Sequence, residues 1–124
     1  IGLIPDSGGT YFLPRLIGFQ RASALMMLGD KIKAEDALRM GMIYQVCEDA
    51  ELMKVAGDCA AALAQAPTMG LAYTKKALNE SMTRDLASQL ALEEELQTAA
   101  GKTYDYNEGV TAFLEKRKPV FKGK

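Results

Sequence analysis

Between Asp49 and Pro67 the apolar residues Leu52, Val55, Ala56, Cys59, Ala60, Leu63 and Ala64 recur at steps of three and four. Only a helix brings residues at that spacing onto one face, because successive side chains turn by about 100°. The spacing predicts an amphipathic helix with Cys59 among its core contacts, Asp49 as its N-cap and Pro67 as its stop. The same grammar repeats along the chain. Residues 21–28 read as a helix with Ala24, Leu25 and Leu28 on one side, closed by Gly29. Ala34–Met40 reads as another, with Ala37, Leu38 and Met40 as apolar contacts and Gly41 as its stop. A further helix begins at Thr68 or Met69, carries Leu71, Ala72, Lys75 and Leu78, and fades over residues 79–83. Thr83 is placed to cap a longer helix over residues 84–100, which Gly101 breaks. Residues 104–107 read as a turn. Residues 108–116 read as the last helix, with Val110, Phe113 and Leu114 on one side and Lys118-Pro119 beyond it.

Two short runs have strand character: Ile1-Gly2-Leu3-Ile4 before Pro5, and Met42-Ile43-Tyr44-Gln45-Val46-Cys47 before Glu48-Asp49. Taken alone, the pattern is that of a mostly α-helical domain. No internal repeat or low-complexity segment interrupts it. The first run leads into Asp6-Ser7-Gly8-Gly9-Thr10 and then an apolar helical pattern containing Leu13, Leu16 and Ile17. Asp6 is thus expected at a strand-to-helix corner, beside glycines that let backbone approach a ligand closely. On residue types alone, an Asp here reads first as a helix N-cap. A P-loop is excluded because no Gly-Lys-Ser/Thr follows, and a dinucleotide fingerprint because there is no Gly-x-Gly-x-x-Gly.

Composition narrows the chemistry. Histidine is absent, which removes Ser-His and Cys-His nucleophile pairs and the usual zinc sites; acid–base work must fall to carboxylates, Tyr or Lys. Glu93-Glu94-Glu95 invites a metal or acid–base reading, but consecutive helical positions point about 100° apart and do not converge, so a solvated face is expected. Cys47 and Cys59 form neither a CxxC pair nor a disulfide framework and read as reduced thiols of a cytoplasmic protein. A net charge of −1 argues against a general nucleic-acid binder. No apolar run approaches the roughly 18 residues of a membrane span. At 124 residues and 48% hydrophobic content, one domain with its own core is expected.

The run GLIPDSGGTYFLPRLIG carries a resemblance, together with Ala22-Ser23-Ala24-Leu25, Leu28-Gly29, Ala34-Glu35-Asp36-Ala37, Gly41-Met42-Ile43, Tyr106-Asn107-Glu108-Gly109-Val110 and Ala112-Phe113-Leu114-Glu115-Lys116-Arg117. In order and over essentially its whole length, the chain resembles the carboxyl-terminal half of an enoyl-CoA hydratase/isomerase of the crotonase superfamily. Its nearest likeness is to the isomerases of phenylacetate degradation. The resemblance implies the α/β crotonase (ClpP/crotonase-like) fold, of which this chain is the mainly helical carboxyl-terminal part. Residues 1–18 would be the end of the core with the catalytic turn, and residues 19–124 the helical, trimerisation region. It also implies a fragment, inactive alone, of an acyl-CoA enzyme assembled as a homotrimer or dimer of trimers. No resident cofactor is implied, since coenzyme A is part of the substrate, and no metal, nucleic-acid or membrane partner.

What the resemblance implies for the site is specific. Hydratases of the family typically carry glycine at the position of Asp6, whereas its isomerases place a proton-shuttling carboxylate there. Asp6 is therefore expected to move a proton between two carbons of a thioester enolate. The oxyanion would be held by backbone amides upstream of this chain. Phe113 and Lys116 are expected to reach a neighbouring subunit's coenzyme A, the ring against adenine and the ammonium against phosphate. Lys122 and Lys124 read as solvated. Two other readings stand beside the isomerase: an enoyl-CoA hydratase using two glutamates outside this chain, and a non-catalytic oligomerisation module in which Asp6 only caps a helix.

Overall fold

The computed structural model describes residues 2–124, so Ile1, which opens the first expected strand, lies outside the described residues. The elements in chain order are the helices α1 (Gly9–Ile17), α2 (Phe19–Leu28) and α3 (Ala34–Met40), a 3₁₀ turn at Asp49–Glu51, then α4 (Leu52–Ala64), α5 (Thr68–Ser81), α6 (Leu86–Ala100) and α7 (Tyr104–Leu114). They gather into two compact units, Ile1–Leu52 and Met53–Lys124. No strand forms among the described residues. Leu3 and Ile4, expected in a buried strand, are 81% and 82% exposed, and residues 42–47 pass through bends and extended chain. A strand exists only through a ladder to a neighbour, and among the described residues neither run finds a partner.

In the first unit α1 packs on α2, and Ile17, Ala22 and Ala37 are buried. The two helices are separated by one residue, Gly18, at φ 83° and ψ 154°. That backbone region is essentially reserved for glycine. It lets α2 start at Phe19, two residues before the expected position. Gly29 and Gly41 close α2 and α3 in left-handed conformations, as the sequence predicts. The buried side of α2 is Ala22, whereas Ala24 and Leu28 are exposed.

In the second unit α5 and α6 pair, with Leu92 and Leu96 buried and Gln89 Nε2 of α6 donating to the Ala77 carbonyl of α5 at 3.1 Å. The cap of α6 is Asp85, not Thr83: its carboxylate accepts the Ser88 amide at 2.7 Å, a bond that holds the Asp85 carboxyl below its ordinary range. Glu93, Glu94 and Glu95 are exposed, the solvated face that helical geometry requires. By contrast α4 buries none of its residues; the expectation of Cys59 as core is corrected, since it is an exposed free thiol. Periodicity says that a face is suited to being covered and does not say by what. For the same reason the expected self-contained core is not built: among the described residues the buried apolar side chains are only Ile17, Ala22, Ala37, Leu92, Leu96 and Ala112.

Residues 104–107, expected as a turn, form the first turn of α7, because the Thr103 hydroxyl caps the helix by accepting the Tyr106 amide at 3.0 Å. This start places Asp105, Glu108 and Ala112 on one face at i, i+3 and i+7. Val110, Phe113 and Leu114 consequently lie outside the core. Asp105 is 2% exposed, and its two oxygens accept the amides of Lys122 at 2.6 Å and Gly123 at 2.8 Å, while its own amide donates to Lys124 O at 3.1 Å. A buried carboxylate needs such donors. Glu108 Oε1 accepts the Val120 amide at 2.8 Å and pairs with Arg117, and Phe121 closes onto Gly109, where an added Cβ would stand 3.7 Å from the ring. Gly123, at φ 69°, runs so close to α5 that a Cβ would stand 2.6 Å from Thr68 Oγ1. The last residues are thus strapped to α7.

Two outcomes are expected. Gly18→Ala places a Cβ in open space yet forces an L side chain into a glycine-only conformation, so unfolding in urea should show a loss of about 1–3 kcal/mol. An unchanged midpoint would mean that the α1–α2 corner does not hold this geometry. The second concerns acid. The Arg117 guanidinium first, and then the Val120 amide, hold the Glu108 carboxyl down from 4.5 to about 2. Glu108 and Glu115 push Arg117 still further up, so it stays charged throughout. A depressed carboxyl contributes stability above its unfolded value and loses it as pH falls through the folded one. The Val120 amide should therefore stay protected from exchange at pH 5 and above, after correction for intrinsic rates, and lose protection as pH falls from 4.5 toward 2. Protection that is flat over that window would exclude Glu108 as its acceptor.

Candidate active site

At Asp6 the chain turns through two consecutive left-handed residues, Ser7 at φ 52° and Gly8 at φ 82°, and the Gly9 amide closes the turn on the Asp6 carbonyl at 2.8 Å. Successive positive φ angles are those of a type I′ turn, which favours Gly, Asn or Asp at both central positions. Gly8 meets that demand without strain. Ser7 does not, and its hydroxyl donates to Asp6 Oδ1 at 3.1 Å. The N-cap of α1 is Gly8, with no side-chain cap hydrogen bond, so Asp6 does not serve as the cap that residue types alone suggest. Its carboxylate is left outside the helix's own bonding. The partial desolvation expected of it is not supplied among the described residues: residues 2–8 are all exposed.

Phe113 and Lys116 come together at the other candidate position, the carboxyl end of α7. The Lys116 amide donates to Phe113 O at 3.2 Å and the Arg117 amide to Ala112 O at 3.0 Å. This pair of bonds is a Schellman motif with Lys116 at the left-handed position, φ 55°, where glycine is the usual occupant. Phe113 is 83% exposed and, with Leu114, Val110 and Phe121, lines an open apolar groove. Lys116 is exposed and makes no ion pair among the described residues. Arg117 beside it is fully engaged: Nη1 and Nη2 meet Glu108 Oε1 and Oε2 at 2.6 and 3.0 Å, and Nε meets Glu115 Oε2 at 2.6 Å. Lys122 is exposed as expected, but its ammonium lies over the Tyr104 ring at 4.5 Å.

Ser7 and Lys116 are the two non-glycine residues with positive φ among the described residues. One adjoins Asp6, in the first unit; the other is itself a candidate binding residue, in the second. Residues held in sparsely populated backbone conformations gather at functional sites. Sequence reasoning singled out Asp6, Phe113 and Lys116 but missed Ser7, Asp105, Glu108 and Arg117. The last three leave a signal: two carboxylates at i, i+3 ahead of a basic, proline-containing tail. Among the described residues no three His, Cys, Asp or Glu side chains are grouped to hold a metal ion. Nor is any described helix long and apolar enough to cross a membrane.

The residues 1–124 match the family model of enoyl-CoA hydratase/isomerase. The chain is 49% identical over its full length to the 1,2-epoxyphenylacetyl-CoA isomerase of Escherichia coli K12, covering 47% of that protein. It is 36% identical over 118 residues to the short-chain-enoyl-CoA hydratase of Clostridium acetobutylicum, covering 95% of this chain and 45% of that protein. The crystal structure of an enoyl-CoA hydratase/isomerase from Cupriavidus metallidurans CH34 superposes with a TM-score of 0.91 at 40% identity, over 98% of this chain and 46% of that one. The chain thus spans about half the length of the curated relatives it matches. At this similarity, and with helices as its elements, the chain is the mainly helical part of the crotonase fold. With a family model matched from end to end and the fold shared, the chain belongs to the enoyl-CoA hydratase/isomerase family.

Proposed function

We propose that the complete gene product is an acyl-CoA isomerase in which Asp6 shuttles a proton during a double-bond shift or ring rearrangement. The observation that carries this reading is a carboxylate at position 6, relieved of capping by Gly8 and, among the described residues, hydrogen bonded only to the Ser7 hydroxyl beside it. For a 3-enoyl thioester, the carboxylate takes a proton from C2, the electron pair spreads through the enolate to C4, and the same carboxyl returns the proton there. One group suffices, and no water is added. The name of the Escherichia coli relative supports an isomerase and a phenylacetyl-type substrate. On this reading the groups that desolvate Asp6 and hold the thioester oxyanion come from outside this chain.

Phe113 and Lys116 bind the nucleotide end of coenzyme A, with the exposed ring for adenine and the unpaired ammonium for phosphate. No separate cofactor is needed, because the thioester itself stabilises the carbanion. The exposed apolar face of α4 and the outward side of α7 suit burial in a homotrimer or a dimer of trimers. A second reading, an enoyl-CoA hydratase, draws support from the Clostridium relative's name. It assigns Asp6 no proton transfer.

Conversion of 3-enoyl-CoA to 2-enoyl-CoA by the complete gene product should fall by about 10²–10⁴-fold in Asp6→Asn, with coenzyme A binding retained. Retained isomerisation, or a natural protein that only hydrates 2-enoyl-CoA, would remove Asp6 from the chemistry. Lys116→Gly separates binding from folding at the other position. Glycine relieves a left-handed strain of roughly 1–2 kcal/mol, so the melting temperature should hold or rise while the affinity for coenzyme A drops. A parallel fall in both would mark Lys116 as structural.

A further inference from the structure

Lys116 occupies a backbone conformation that its side chain does not favour, and nothing in its own side chain holds it there. The restraint comes from both neighbours. Glu115 and Arg117 flank Lys116 and are joined across it, Glu115 Oε2 receiving Arg117 Nε at 2.6 Å. Arg117 is further locked by the parallel two-bond grip of Glu108, and its Nη1 also donates to Lys118 O at 3.2 Å. Glu108 reaches this point from two turns up the helix, and its side chain is only 11% exposed. It fixes the tail as well, through the Val120 amide. A bidentate carboxylate–guanidinium pair sets orientation as well as distance, which a single lysine or a neutral amide does not.

We infer that Glu108, acting through Arg117, is a positioning residue for coenzyme A binding: it clamps the left-handed turn at the end of α7 so that the Lys116 ammonium is presented to the phosphates of the nucleotide. This rests on the reading of Lys116 as a coenzyme A contact. The clamp touches no substrate. It acts by keeping the Lys116 backbone from relaxing toward an ordinary right-handed or extended conformation, which would swing the side chain away. The Arg117 guanidinium and the Val120 amide hold the Glu108 carboxyl well below the ordinary carboxylate range, so the pair is charged at neutral pH.

The test uses the complete gene product with Lys116→Met, Glu108→Gln and the double variant, assayed on an enoyl-CoA and on the matching enoyl-pantetheine, which lacks the nucleotide. Lys116→Met should raise KM for the CoA thioester about tenfold, the equivalent of about 1.4 kcal/mol, with kcat unchanged. Glu108→Gln should raise it about three- to tenfold, also with kcat unchanged, and neither variant should alter the pantetheine substrate. The double variant should be no worse than Lys116→Met alone, the non-additivity expected of one residue acting through another. If Glu108→Gln does not fold, Arg117→Lys keeps the charge, removes the fork and should give the same pattern. An unchanged KM in Lys116→Met overturns the binding role of Lys116 itself. A Lys116→Met defect without one in Glu108→Gln overturns the positioning role alone, as does an additive double variant or an equal loss on enoyl-pantetheine.

Discussion

A buried carboxylate that must find donors governs the end of this chain. Asp105 is 2% exposed at the start of α7, and among the described residues the groups that satisfy its side chain are the amides of Lys122 and Gly123. A buried carboxyl group left without hydrogen bonds is costly, and the backbone amides of the tail supply them. The tail therefore folds back along α7, Phe121 closes over Gly109, and Gly123 passes Thr68 at a distance only glycine allows. Once the tail lies there, the Val120 amide meets Glu108, and Glu108 in turn grips Arg117. The turn at Lys116 sits between these fixed points. The geometry of a candidate binding lysine is thus inherited from an aspartate eleven positions earlier.

Strain is distributed in the same sense. Gly18, Gly29 and Gly41 take positive φ at element boundaries, where the absence of a Cβ makes the conformation easy. Ser7 and Lys116 take it without that freedom. A folded chain tolerates such residues only where surrounding bonds over-determine them, as the Gly9 amide does at the Asp6 carbonyl and as the Arg117 clamp does beyond Lys116. These two residues lie next to the candidate base and at the candidate nucleotide contact.

Much of the helical layout is legible in the sequence, since α3, α4 and the glycine stops of α2 and α3 lie where spacing puts them, although Asp49, expected to cap α4, instead opens the 3₁₀ turn before it and makes no cap hydrogen bond. Misplaced boundaries trace to local competition. Asp85 takes the cap from Thr83 because its carboxylate reaches the Ser88 amide, and Thr103 turns an Asn- and Asp-containing stretch into helix by capping Tyr106. The strands were illegible for another reason: apolar runs at residues 1–4 and 42–47 resemble strands, but pairing depends on a neighbour, and among the described residues there is none. Asp6, Phe113 and Lys116 were found through resemblance to a family. Asp105, Glu108 and Arg117 were not, because their roles exist only after the tail has folded back on α7.

The order of residues by itself determined the helical periods, the glycine breaks, the absence of histidine chemistry and the lone carboxylate ahead of Ser-Gly-Gly. These are local properties, set by backbone geometry within a few residues and by side-chain chemistry. Tertiary structure alone decided that Cys59 and the α4 stripe stay uncovered and that Asp105 and Glu108 bind residues twelve to eighteen positions away. Hydrogen bonds and burial across such separations depend on which surfaces meet, and no spacing along one helix encodes that.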